Sequence, residues 1–164
     1  MFVRSKTIKN KPYAYLVDNS WKKGKVKQSV KKYLGPIISL EQPFENHSAL
    51  YFDLDTSQSS RACLRDCIAR EFLACGFSQE KNVLKKDSFS INLVTGHIRK
   101  GSKPIVFLVN GRYLYDGLLK FLLSFSNPET DEEVPGKRLA QAFSDAGIRI
   151  DQQVFVELYK KLYS

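Results

Sequence analysis

Ten of the first 35 residues are lysine or arginine and only Asp18 among them is acidic, so this stretch alone carries the +9 net charge of the 164-residue chain. The rest of the chain balances sixteen basic against sixteen acidic side chains. Charge divided in this way describes a basic module joined to a neutral body. A field of one sign attracts a polyanion, and phosphate contacts supply most of the affinity in nonspecific nucleic-acid binding. Phe2 to Ile8 is extended in character, Lys9-Asn10-Lys11-Pro12 is turn chemistry, and Tyr13 to Val17 alternates with aromatic and β-branched residues. A longer turn, Asp18 to Gly24, leads to a third strand over Lys25 to Leu34. Strand periodicity then predicts that Val26, Val30 and Leu34 pack, while Lys25, Lys27, Lys31 and Tyr33 share the open face.

A lysine face with tyrosines among the lysines suits nucleic acid, because ammonium groups neutralise phosphates and aromatic rings stack on unpaired bases. The residues assigned to this interface are Arg4, Lys6, Tyr13, Tyr15, Trp21, Lys22, Lys23, Lys25, Lys27, Gln28, Lys31 and Tyr33, with Trp21 at the tip of the second turn. The pattern Tyr13-x-Tyr15-Leu16-Val17, then Gly24-Lys25-Val26-x-Gln28, then Tyr33-Leu34-Gly35 resembles the N-terminal β-meander of a class of insertion-sequence transposases. In those enzymes the meander precedes a long ribonuclease-H-like catalytic domain, which the rest of this chain is too short to contain. The resemblance therefore implies DNA contact by Tyr13, Tyr15, Lys25, Lys27 and Gln28, and DNA in preference to RNA, but not transposition.

The length allows one main domain and an appended module, read as a basic meander over 1–35, a connector over 36–48 and a body over 49–164. Hydrophobic content of 43% with charged content of 26% is that of a folded chain. No apolar run approaches the roughly 18 residues of a membrane span and the N-terminus lacks a signal-peptide core, so a cytoplasmic protein without membrane contact is expected. Cys63, Cys67 and Cys75, an odd set on one expected helix, read as reduced thiols.

In the body, Ala49 to Asp55 reads as a buried strand, Ser59 to Cys75 as a helix ended by Gly76, and Phe89, Ile91 and Leu93 as a second strand. The apolar run Ile105 to Val109, closed by Asn110-Gly111, reads as a central strand, with Arg112 to Tyr115 returning as a hairpin. An apolar helix over Asp116 to Phe125, an acidic linker over Asn127 to Gly136 and helices over Lys137 to Ala146 and Asp151 to Tyr163 complete the chain. The predicted class is α+β: a three-stranded antiparallel meander, then a ferredoxin-like β-α-β-β-α body with two C-terminal helices.

The favoured function is a noncatalytic nucleic-acid-binding protein that grips the phosphate backbone and needs no cofactor. Two alternatives follow from other residues. Asp53 and Asp55, at the end of the expected strand, have the spacing to hold magnesium or manganese for nuclease or phosphoryl-transfer chemistry. That pair resembles the first motif of haloacid-dehalogenase phosphatases and the Asp-x-Asp motif of archaeo-eukaryotic primases, which in the latter implies a role for His97. The later acidic pair of the phosphatases has no counterpart, and Asp116 is the one carboxylate within reach of the primase pattern. The second alternative is a homo-oligomeric structural or adaptor protein, joined through the apolar 116–125 helix.

Overall fold

The computed structural model describes residues 1–41, 52–125 and 133–163. Among them are four helices and two five-stranded sheets, an α+β architecture. The first sheet begins with three strands in sequence, β1 (Phe2–Ile8), β2 (Lys11–Lys22) and β3 (Lys25–Ser39), paired antiparallel. Lys9-Asn10 and Lys23-Gly24 both have positive φ at their two positions, the geometry of the two-residue turns that match strand twist. The second turn is thus two residues long rather than the seven expected over Asp18 to Gly24. Residues Asp18 to Lys22 go into β2, where each acquires a partner across the hairpin.

β3 does not stop at Gly35. It runs on through Pro36 to Ser39, and its end pairs in parallel with β9 (Val106–Val109), with Ile37 opposite Val106 and Ile38 opposite Phe107. β9 turns at Asn110-Gly111 into β10 (Arg112–Leu114), giving the order β1-β2-β3-β9-β10. Residues 36–39, expected as connector, are therefore strand. The second sheet is a run of short antiparallel strands: β4 (Ser78–Glu80), β5 (Val83–Lys86), β6 (Phe89–Asn92), β7 (Ile98–Lys100) and β8 (Lys103–Pro104). The chain passes from one sheet to the other at Ile105, which is buried. Close approach there depends on Gly35, whose φ is +126° and whose missing Cβ would collide with the Pro104 carbonyl oxygen.

The ferredoxin-like arrangement is not confirmed. The strands it would place in one sheet divide between two, and Phe52 to Asp55 belong to no strand, while 49–51 lie outside the described residues. Four of the five strands of the second sheet were not expected, because sequences such as Ser78-Gln79-Glu80 carry no strand signature and owe their conformation to pairing with a neighbour.

The helices close the main core. α1 (Ser60–Ala74) is capped by the Ser59 hydroxyl, which accepts from the Ala62 amide at 3.2 Å, and it buries Leu64, Ile68 and Phe72 as expected. Phe72, Phe77, Phe89 and Phe107 meet edge to face or tilted, with centroids 5.7 to 6.4 Å apart, tying α1 to both sheets. α2 (Asp116–Leu123) buries Leu119, Leu122 and Leu123 in this core. α3 (Glu133–Asp145) begins earlier than the expected Lys137, so 133–136 are helical and not linker. Pro135 is tolerated because it falls in the first turn, where no intrahelical N–H bond is lost. α4 (Gln152–Tyr163) sets Val154 and Leu158 against the core. No helix among the described residues is long and apolar enough to cross a membrane.

Candidate nucleic-acid interface

β2 and β3 form a long ribbon whose far half stands clear of the body. β1 ends its pairing at Phe2 opposite Val17, so from Asp18 opposite Ser29 to Lys22 opposite Lys25 the ribbon has two strands only. Strands rise about 3.3 Å per residue, which carries Lys22 about 16 Å beyond Val17. Trp21 is 76% exposed and Val26 and Val30 are 53% and 64% exposed.

The register decides which side chains share a face, because residues directly opposite in an antiparallel pair point the same way. Two register shifts, between Ala14 and Tyr15 and between Leu16 and Val17, leave Leu34 and Lys31 of β3 as extra residues without a partner in β2. Tyr33 is thereby opposite Tyr15, and Val30, Gln28 and Val26 are opposite Val17, Asn19 and Trp21. On β1, Arg4 is opposite Tyr15 and Lys6 opposite Tyr13. One face thus gathers Tyr13, Tyr15, Tyr33, Trp21, Asn19 and Gln28, with Arg4 and Lys6 at its edge. The other gathers Lys22, Lys25 and Lys27, followed by Lys32 opposite Leu16. Lys23 occupies the turn and Lys31 the bulge.

This corrects the expected face in three ways. Tyr33 is not among the lysines but on the opposite side, with ring centroids 5.2 Å from Tyr15 and 6.3 Å from Tyr13. Val26 and Val30 do not pack; only Leu34 does, displaced by its bulge into a small second core with Ala14, Ile37 and Val106. Lys22, Lys25, Lys27 and Lys32 are therefore on the face opposite the aromatics, while Lys6 and Lys11 stay beside the tyrosines. Strand periodicity holds only along an unbroken ladder, and one extra residue reverses the phase of all that follows it until the next.

Polar contacts on the aromatic face are few and local. The Gln28 amide donates to the Asn19 carboxamide oxygen at 3.4 Å, and Arg4 donates to Gln28 Oε1. Partial burial, and then the neighbouring Tyr13 and Tyr15, raise the Tyr33 hydroxyl above the ordinary tyrosine range. Asp18, the lone acid of the module, is 3.7 Å from the N-terminal ammonium. None of the nine lysines of the meander makes an ion pair or a side-chain hydrogen bond among the described residues. Asn19 and Lys32 were missed by the sequence reading; placing the hairpin turn at Lys23-Gly24 would have found Asn19 opposite Gln28.

Asp53 and Asp55 are both exposed, and between them Leu54 turns inward. Asp55 serves the turn that starts α1: its Oδ1 accepts from the Ser57 hydroxyl and from the Ser57 amide at 3.0 Å, and its Oδ2 from the Gln58 amide at 3.3 Å. These bonds, the Ser57 hydroxyl first, lower its pKa. Asp116 holds the Ile98 amide at 2.9 Å and Arg99 at 2.7 Å. His97 precedes β7, and its carbonyl accepts from Asn92. No group of three or more His, Cys, Asp or Glu that could hold a metal occurs among the described residues. The three cysteines are free and buried, and burial pushes the Cys67 thiol up to about 12. The apolar circumference of α2 is largely taken up by this chain's own core, with Phe121 the large side chain left exposed at 41%.

No family model, curated protein or solved structure matches this chain.

Proposed function

We propose that the protein binds nucleic acid, gripping the phosphate backbone through the lysines of the projecting ribbon, and that it does so in the cytoplasm without a catalytic step. The observation that carries this reading is the row of Lys22, Lys25, Lys27 and Lys32 on one face of a ribbon whose one acid, Asp18, stands against the N-terminal ammonium. Ammonium groups held apart along a strand and left without partners pair readily with a phosphate chain, and the release of its counterions drives the binding. A ribbon of two strands also has the width that a duplex major groove admits. DNA is preferred to RNA on the resemblance of the meander to that of the transposases.

The test is a salt titration of binding to duplex and single-stranded DNA and RNA by the whole chain and by a Lys25→Ala, Lys27→Ala, Lys32→Ala triple variant. All three positions are exposed, so the variant should fold like the parent. It should bind every nucleic acid more weakly, and the slope of log affinity against log salt should flatten by about 0.7 to 0.9 for each phosphate that the variant no longer neutralises. Equal affinity and equal slope in parent and variant would refute the reading.

A further inference from the structure

We infer that the aromatic face of the ribbon, on the side away from the lysine row, receives the unpaired bases of a single nucleic-acid strand. This rests on the nucleic-acid reading above and adds to it the state of the ligand and the surface that recognises it. The two β3 bulges bring Tyr33 to the side of Tyr13 and Tyr15, with Tyr33 itself 50% exposed. Bulges re-aim side chains, and here the result is three tyrosines in one group with Trp21 further along the same face. Between them stand Asn19 and Gln28, and Arg4 reaches in from β1. Flat rings stack on any base, while carboxamides and a guanidinium offer the donors and acceptors that base edges require.

Exposed Val26, Val30 and Phe2 extend this face into an apolar surface of the sort that marks a binding site. Charge selects the occupant. Cations flank the face, with Lys6, Lys9 and Lys11 at one end and Lys23 in the turn at the other. A second copy of so basic a ribbon would bring like charges together, whereas a strand of nucleic acid brings phosphates to the ends and bases to the rings. A duplex keeps its base faces stacked on one another and offers the tyrosines nothing. DNA and RNA single strands share the required chemistry.

Trp21 is the one tryptophan of the chain, so its emission reports this face alone. The protein is titrated with oligothymidylate and oligouridylate of about 20 nucleotides, longer than the roughly 4 to 16 that a single-strand site covers, and with a DNA duplex of the same length. Tryptophan emission and probe anisotropy are followed together. Single strands should quench Trp21 and the duplex should not; quenching by both oligomers, or by one, supports the inference and tells DNA from RNA. Tyr15→Ala with Tyr33→Ala should weaken single-strand binding about tenfold or more, since a stacked base contributes that much per ring, and leave duplex binding within about twofold. Trp21→Ala, at the exposed tip, gives the same test by anisotropy without touching either core. If duplex binding is as tight as single-strand binding and the aromatic variants bind like the parent, the inference fails while the phosphate reading stands. Absence of binding to all three probes removes both. A parent dimer in sedimentation that Tyr33→Ala disperses would assign the face to a second copy and overturn the inference.

Discussion

Glu71 is a carboxylate with no exposed surface, and its environment explains how the parts of the body hold together. It lies on α1 and accepts from the Asn110 side-chain amide at 2.8 Å, from the Arg149 backbone amide at 3.0 Å and from the Arg149 guanidinium at 3.2 Å. Asn110 sits in the β9–β10 turn with φ of 48°, and its amide also donates to the Gly147 carbonyl at 2.8 Å. Gly147, with φ of +71°, leaves no room for a Cβ beside the Val109 carbonyl oxygen. One carboxylate thus joins α1, the hairpin turn and the α3–α4 junction. The Asn110-Gly111 hairpin was legible in the sequence, but its second role was not, because nothing in a dipeptide tells that its amide faces a buried acid. Glu71→Ala removes the carboxylate that accepts from both Asn110 and Arg149. Arg149 is partly exposed and can hydrate, so the cost is that of hydrogen bonds to a charged group, about 1.5 to 3 kcal/mol. Chemical denaturation of variant and parent should return a loss of that size with little change in the denaturant slope.

Among the elements, the ribbon and the body differ in what holds them. The base of the meander is fixed by the parallel pairing of β3 with β9 and by the small core around Ala14, Leu34 and Ile37. Beyond Val17 and Val30 the backbone ladder has two strands only, and among the described residues no more than the Met1–Asp18 ion pair and the Arg4–Gln28 hydrogen bond tie them to residues 1–8. A two-stranded hairpin is marginal without a packed face. Backbone amide exchange should therefore be graded along the ribbon: slow at Ala14 and Ile37, and orders of magnitude faster near Trp21 and Val26, without loss of the fold. Uniform protection to the tip would mean that something covers it. The three strands and the amphipathic helices were legible because hydrophobic period and turn residues are local. The bulges were not, since an extra residue shows only when two strands are aligned. The short strands of the second sheet were hidden for a related reason: their residues favour no strand until a neighbour pairs with them.

For the molecule taken together, a neutral body carries a cationic ribbon as a strand-continuous extension of its own sheet. Replacing Asn19 to Gln28 with a two-residue Asn-Gly turn would close the ribbon at the Asp18–Ser29 pair, four pairs before Lys22–Lys25 at the native two-residue turn and so in the same hydrogen-bonded register. None of the residues removed belongs to either core cluster. The thermal midpoint should move by only a few degrees, while nucleic-acid affinity should fall at least tenfold with the loss of Lys22, Lys23, Lys25 and Lys27. A melting point that drops sharply would mean that the ribbon supports the body and is not merely borne by it.

The charge partition, the α+β class, the three meander strands, α1 and the Asn110-Gly111 hairpin are written in the order of residues alone, since each depends on neighbours along the chain. Whatever depends on register and on distant partners was left to the folded molecule. Folding set the continuation of β3 into the body sheet and the division of the other strands into a second sheet. It placed Glu71 at a three-way junction. It also set Tyr33 beside Tyr13 and Tyr15 and away from Lys25 and Lys27, because in a paired strand the side on which a residue stands is a property of the ladder, and two unpaired residues in β3 reset it.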